Sequence, residues 1–154
     1  GLYTHPKIKH LVTLTHGEGF GLPIFEAVCH GMPVMAPDWG GQCDFLYAPV
    51  KKGKVKKNMA MFSKVSYTIA PIPESAVWEG VLHPQSNWCY PEPGSFKMQL
   101  RESLKGHKKK KKEALALQKH VLEEFNPDKM YEKFSNAILE VLAPQEPQTI
   151  KVFG

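Results

Sequence analysis

Cysteine is scarce. There are three, Cys29, Cys43 and Cys89, an odd number with no C-x-x-C spacing. A disulfide framework and a cysteine zinc site are thereby excluded, and free, partly buried thiols in a reducing compartment are expected. Long hydrophobic runs are lacking too. No apolar stretch approaches the roughly 20 residues needed to cross a bilayer, and no signal peptide is visible. The expected localisation is cytoplasmic, at most peripheral to a membrane. The usual nucleotide-loop patterns G-x-G-x-x-G and G-x-x-x-x-G-K-[ST] are missing, as is any H-E-x-x-H spacing for a metal.

What is present is an ordinary globular composition. The chain has 154 residues, 42% hydrophobic and 23% charged, enough for one domain and too few for two of usual size. The formal net charge of +5 is clumped. Lys51, Lys52, Lys54, Lys56 and Lys57 form one cluster, and Lys108 to Lys112 another. Aromatics do not interleave with either run, so base stacking is not signalled and no specific nucleic-acid partner is expected. Two solvated, mobile segments are expected instead, with peripheral contact to an anionic membrane as the exception.

Ile8 to Leu14 is short, apolar and β-branched, and reads as a buried strand. Leu22 to His30 reads as a helix, with Pro23 near its first position and Gly31 and Pro33 ending it. Pro33 to Ala36 is a second buried strand, Pro37 to Gly41 a loop, and Gln42 to Tyr47 the expected start of another helix. Strand, glycine loop, helix, strand, glycine loop is the rhythm of a parallel α/β sheet, which binds ligands outside the carboxyl ends of its strands. Lys64 to Ala70 alternates as a strand, with Trp78 and Trp88 expected to cover a sheet. The run 49–93 gives no topology. Three helices then follow. The first carries Phe96, Leu100 and Leu104 behind a Ser95 cap, the second Leu117, Val121, Leu122 and Phe125. The third follows an Asn126 cap, with Met130, Phe134, Ile138, Val141 and Leu142 inward. The fold class is therefore α/β, a partial Rossmann-like parallel sheet followed by C-terminal helices, with one domain over residues 1–142 and a tail over 143–154.

The chemistry concentrates in Glu18 to Glu26, EGFGLPIFE. Gly19 and Gly21 let a ligand approach the backbone closely. The helix that follows directs unpaired N–H groups at the loop, a seat for phosphate. Glu26, about one turn in, suits the two hydroxyls of a ribose, and Glu18 suits the hydroxyls of a sugar. Taken singly, Glu26 also reads as an ordinary first-turn acid and Glu18 as an exposed loop acid.

Together, Thr15 to Leu46 (THGEGFGLPIFEAVCHGMPVMAPDWGGQCDFL) resembles the donor-binding core of retaining glycosyltransferases of the GT-B fold, family 4, with its E-x7-E motif. Glu18 and Glu26 match the two acids. Gly19, Phe20, Gly21, Leu22 and Pro23 match the loop, and Gly40 and Gly41 match a following glycine pair. The resemblance implies a nucleotide-diphosphate-sugar donor and a glycan, lipid or protein acceptor. It makes Glu18 the catalytic acid beside the transferred sugar, Glu26 the ribose ligand, and Gly19 to Leu22 the donor loop. It also implies no metal or other cofactor, in keeping with the lack of a D-x-D triplet. His16 and Trp39 are further candidates, the first equally a turn histidine satisfied by backbone, the second equally a packing residue. The sequence departs from the family at Asp44, where a Glu is common, and at Thr15-His16-Gly17.

The same resemblance implies an acceptor lobe and basic phosphate ligands upstream of Gly1. A chain without them is expected to transfer little sugar, and the Ile8 to Leu14 strand to recruit a second copy, giving a homo-oligomer. The alternative is a non-catalytic nucleotide-sugar-binding or scaffold module of the same ancestry.

Overall fold

A computed structural model describes residues 1–142; the tail expected at 143–154 lies outside the described residues. The chain falls into two compact units, Gly1–Leu122 and one that begins at Glu123.

The first unit is built on a three-stranded parallel sheet: β1 (Leu11–Val12), β2 (Val34–Pro37) and β5 (Ser63–Val65), in the order β1-β2-β5. Leu11 pairs with Val34, and Met35 with Ser63. All four residues of β2 are buried, as a central strand covered on both faces requires. Between β1 and β2 runs α1 (Leu22–Cys29), which buries Ile24, Ala27 and Val28. The expected helix and second strand thus form within a residue of their predicted ends. The first strand is shorter than Ile8 to Leu14, because only Leu11 and Val12 meet β2 in register.

After β2 the expectation fails. Gly41–Asp44 forms a single 3-10 turn, and the chain then enters a two-stranded antiparallel hairpin, β3 (Tyr47–Lys52) and β4 (Val55–Ala60). The first lysine cluster is therefore ordered as a ladder, with Lys51 opposite Lys56, rather than a mobile segment. Lys64 to Ala70 is also two strands rather than one. Ser63–Val65 belongs to the parallel sheet, whereas β6 (Tyr67–Pro71) pairs antiparallel with β7 (Asn87–Pro91). Ser66 marks the break. Its N–H donates to Ser95 Oγ at 2.8 Å, and its carbonyl accepts from Glu92 N–H at 2.8 Å. Trp88 lies in β7, but Trp78 is 68% exposed and covers nothing.

Two helices complete this unit. In α2 (Pro93–Lys105) the helix starts at Pro93, with Glu92 at the cap position. Ser95 therefore lies inside the first turn, committed to Ser66. Its buried contact is Ser103, whose hydroxyl lies 3.0 Å from that of Ser63 on β5, while Leu104 is exposed. The second lysine cluster forms the first turns of α3 (His107–Glu124), which buries Ala114, Leu117 and Val121 but leaves Leu122 exposed. α3 also closes the end of α1. Gln118 Nε2 donates to the Cys29 carbonyl and Lys111 Nζ to that of Gly31, each at 2.7 Å. Such donors satisfy the carbonyls that a helix end leaves open.

In the second unit, α4 (Pro127–Leu142) begins as expected, with Asn126 Oδ1 accepting the Asp128 N–H at 2.9 Å. The stripe expected to face inward is uncovered: Phe134, Ile138, Val141 and Leu142 are exposed.

The buried serine pair gives a test of how α2 is fastened to the sheet. Ser103→Ala strands the Ser63 hydroxyl and is expected to cost about 1–3 kcal/mol in urea unfolding, whereas Ser63→Ala combined with Ser103→Ala costs less than either alone.

Candidate active site

The loops that follow the carboxyl ends of β1 and β2 meet backbone to backbone. Gly41 N–H donates to the Glu18 carbonyl at 2.9 Å. A Cβ on Gly41 would collide with the Gly19 carbonyl, standing 2.6 Å from its carbon and 3.0 Å from Phe20 Cα. A Cβ on Gly40, whose φ is +91°, would come within 3.0 Å of the Glu18 carbonyl oxygen. The glycine pair is thus required by the approach of the first loop.

Gly21 caps α1 with φ 84° and ψ 55°, a left-handed conformation that suits glycine. Phe20, one residue before that cap, packs on Phe25 and Phe45, with ring centroids 5.3 and 5.1 Å away. This is the hydrophobic staple of a helix start, and it fixes the angle at which the chain enters α1. The Phe20 ring is thereby held by the protein's own aromatic cluster. Pro23 has no N–H, and Ile24 and Phe25 both donate to the Gly21 carbonyl at 2.9 Å. Among the described residues, the amides of Gly19, Gly21 and Leu22 have no hydrogen-bond partner, and Leu22 is 65% exposed.

The two acids differ. Glu18 is half-buried, and its carboxylate makes no hydrogen bond or ion pair among the described residues. Glu26 is exposed on α1, and its Oε2 accepts the Tyr3 hydroxyl at 3.0 Å, which raises the Tyr3 pKa. His16 is the satisfied turn histidine of the two readings. Its Nδ1 lies 2.7 Å from the Cys89 carbonyl, its own carbonyl accepts the Cys89 N–H, and its ring stacks on Trp88 at 4.7 Å and 4°. A carbonyl only accepts, so Nδ1 carries the proton and Nε2 of the neutral ring is an acceptor. Trp39 sits 6.0 Å from the Tyr67 ring and remains 41% exposed beside Gly40.

A polar cluster at the same edge escaped sequence reasoning. Asp38, the first residue beyond β2, accepts from Lys64 Nζ at 2.7 Å and from the Tyr47 hydroxyl at 2.7 and 2.8 Å. Burial pushes the Asp38 carboxyl up, but the bonds from Lys64 and Tyr47 outweigh it and hold it below the ordinary carboxylate range. Asp38, Lys64, Ser66 and Tyr67 line a hollow of about 270 Å³ at the carboxyl ends of β2 and β5. Asp38 also meets Cys43 Sγ at 3.6 Å. Burial, then the Asp38 charge, push the Cys43 thiol up to about 11, so it stays protonated at neutral pH and is a poor nucleophile. No local pattern signals this cluster, since its members lie 9 to 26 residues apart.

The structure therefore brings Glu18 to Leu22, Trp39, Gly40 and Gly41 to one edge of the sheet, with His16 in the same loop bonded to Cys89 of β7, while Glu26 on α1 is bonded to Tyr3 from the segment before β1. Among the described residues no group of three or more His, Cys, Asp or Glu is placed to hold a metal ion, and no helix is long and apolar enough to cross a membrane. No protein family, no curated protein and no solved structure matches this chain. The resemblance of Thr15 to Leu46 accordingly rests on its own residues.

The contact between the loops is directly testable. Gly41→Ala is expected to destabilise the protein by about 1–3 kcal/mol through forced separation of two backbones. Gly17→Ala, whose Cβ would meet nothing within 4 Å, is expected to stay within about 0.5 kcal/mol of the parent in the same thermal or denaturant measurement.

Proposed function

We propose that this edge of the sheet binds a nucleotide-diphosphate sugar, and that the chain is the donor-binding part of a retaining glycosyltransferase of the GT-B type. The distal phosphate sits against the free amides of Gly19, Gly21 and Leu22. Glu26 Oε1, left over by Tyr3, takes a ribose hydroxyl. Glu18 faces the transferred sugar, where a carboxylate supports positive charge as the bond to the leaving diphosphate breaks. The acceptor is a glycan, lipid or protein.

The observation that carries this reading is Gly19. It lacks a positive φ, and a Cβ there would meet nothing within 4 Å. The fold leaves that position open, and a glycine there, in the loop that leads into α1, lets a ligand lie against the backbone. The amides of Gly19 and Leu22 and the half-buried Glu18 carboxylate are open to solvent without a protein partner among the described residues, so a ligand can take them up without breaking a contact of the fold.

Calorimetric titration with uridine, guanosine and adenosine diphosphates and their sugars tests it. Binding without added metal is expected, weakened roughly tenfold or more by Glu26→Ala through loss of a charge-assisted hydrogen bond. Gly19→Ala is expected to weaken binding similarly while leaving the melting temperature unchanged. A Gly19→Ala protein that binds every donor as the parent does, or a parent that binds none, would contradict the proposal.

A further inference from the structure

A second hollow, of about 340 Å³, lies at the opposite edge of the sheet. Its walls come from three stretches distant in sequence: residues 3–9, which precede β1; residues 30–33, which precede β2; and the first turns of α3. Five of its side chains, His5, Lys9, His30, His107 and Lys111, carry or can acquire positive charge, and among the described residues no carboxylate lines it. Lys111 is held at the wall, its Nζ donating to the Gly31 carbonyl at 2.7 Å. One of the three ammonium protons is thereby used and two remain.

His5 Nδ1 accepts the Lys7 N–H at 3.2 Å and His30 Nδ1 donates to the Glu26 carbonyl at 2.7 Å, whereas two other rings are under-satisfied. His107 meets His10 at 5.4 Å, and His107 Nδ1 and His10 Nε2 are buried with no protein partner. Buried polar atoms of this kind ordinarily find a hydrogen bond. Burial, then the charges of His107 and Lys110, hold the His10 pKa below the usual histidine value. Two carboxylates stand near: Glu26, whose Oε2 accepts the hydroxyl of the lining Tyr3 at 3.0 Å, and Glu113 on α3. Glu113 reaches Lys109 at 3.9 Å and Lys110 at 3.7 Å. Five lysines in the opening turns of α3 stand where the helix field favours anions.

We propose that this cavity binds a phosphate monoester, with Lys9 and Lys111 on its charge, the imidazole of His107 donating to its oxygens, and His30, whose Nδ1–H is given to the Glu26 carbonyl at 2.7 Å, donating from Nε2 as the imidazolium. A tetrahedral dianion accepts hydrogen bonds from several directions at once, which matches donors converging from three segments better than a planar carboxylate does. The volume lies at the low end of the range for small-molecule sites, so the ligand is a small phosphorylated molecule or the headgroup of a phospholipid. The site shares one neighbour with the donor reading, Glu26, whose Oε2 accepts the Tyr3 hydroxyl at this wall at 3.0 Å; the ligand contacts proposed here do not use it.

Nuclear magnetic resonance titration of the full chain with glycerol 3-phosphate and with inorganic phosphate tests it. Saturable shifts of the His30 and His107 resonances are expected. Lys9→Gln, at an exposed position, is expected to raise Kd about tenfold with the melting temperature unchanged, as loss of one charged hydrogen bond implies. Lys54→Gln on the β3–β4 hairpin is expected to leave Kd as it is. Sedimentation with vesicles containing phosphatidic acid separates the sources. Vesicle binding displaced by glycerol 3-phosphate assigns a lipid headgroup; saturable binding of the soluble ester without vesicle binding assigns a free metabolite. Unsaturable shifts, equal Kd for the Lys9 and Lys54 variants, or shifts confined to residues 19–22 would overturn the proposal.

Discussion

The backbone of residues 18–20 rests directly on Gly40 and Gly41, and the arrangement of the whole carboxyl edge depends on that contact. A hydrogen bond from Gly41 to the Glu18 carbonyl ties the loop after β1 to the loop after β2. Because no Cβ fits between them, the two loops are set by their common floor rather than by side chains of variable length. The Phe20 staple and the left-handed Gly21 then aim α1 from this fixed point. Glu18 and the free amides are thus placed by rigid elements, the condition under which a binding site can be preorganised.

Glycine stands in two different surroundings in this small region. At Gly40 and Gly41 the reason lies inside the protein: any Cβ meets the neighbouring backbone. At Gly19 the protein supplies no such reason. The same residue type in one motif is therefore fixed by the fold at one position and left open at another, and only the three-dimensional surroundings separate them.

Much of the parallel core was legible because its signals are local. Pro23 near the helix start, Gly31 after its end and the apolar run at Val34 each act within a few residues, and α1 and β2 form where they indicate. The hairpin of β3 and β4 was not legible, because Gln42 to Tyr47 carries a helix-like pattern that the single turn of Gly41–Asp44 uses up before Tyr47 enters a strand. The split at Ser66 was hidden for a different reason. Val65 and Tyr67 keep the alternation of one strand, and only distant partners, Ser95 and Glu92, turn the chain between them. The meeting of the two glycine loops was foreshadowed by their places after β1 and β2, whereas the Asp38, Tyr47 and Lys64 cluster exists only through tertiary contact.

Amide hydrogen exchange at Gly41 tests the account most directly. If the two loops are locked together, the Gly41 amide is protected to the same degree as the amides of β2, since both open only when the sheet does. An amide at Gly41 that exchanges as fast as that of an open surface loop would mean that the glycine loops do not hold each other, and the site built upon them would not exist as described.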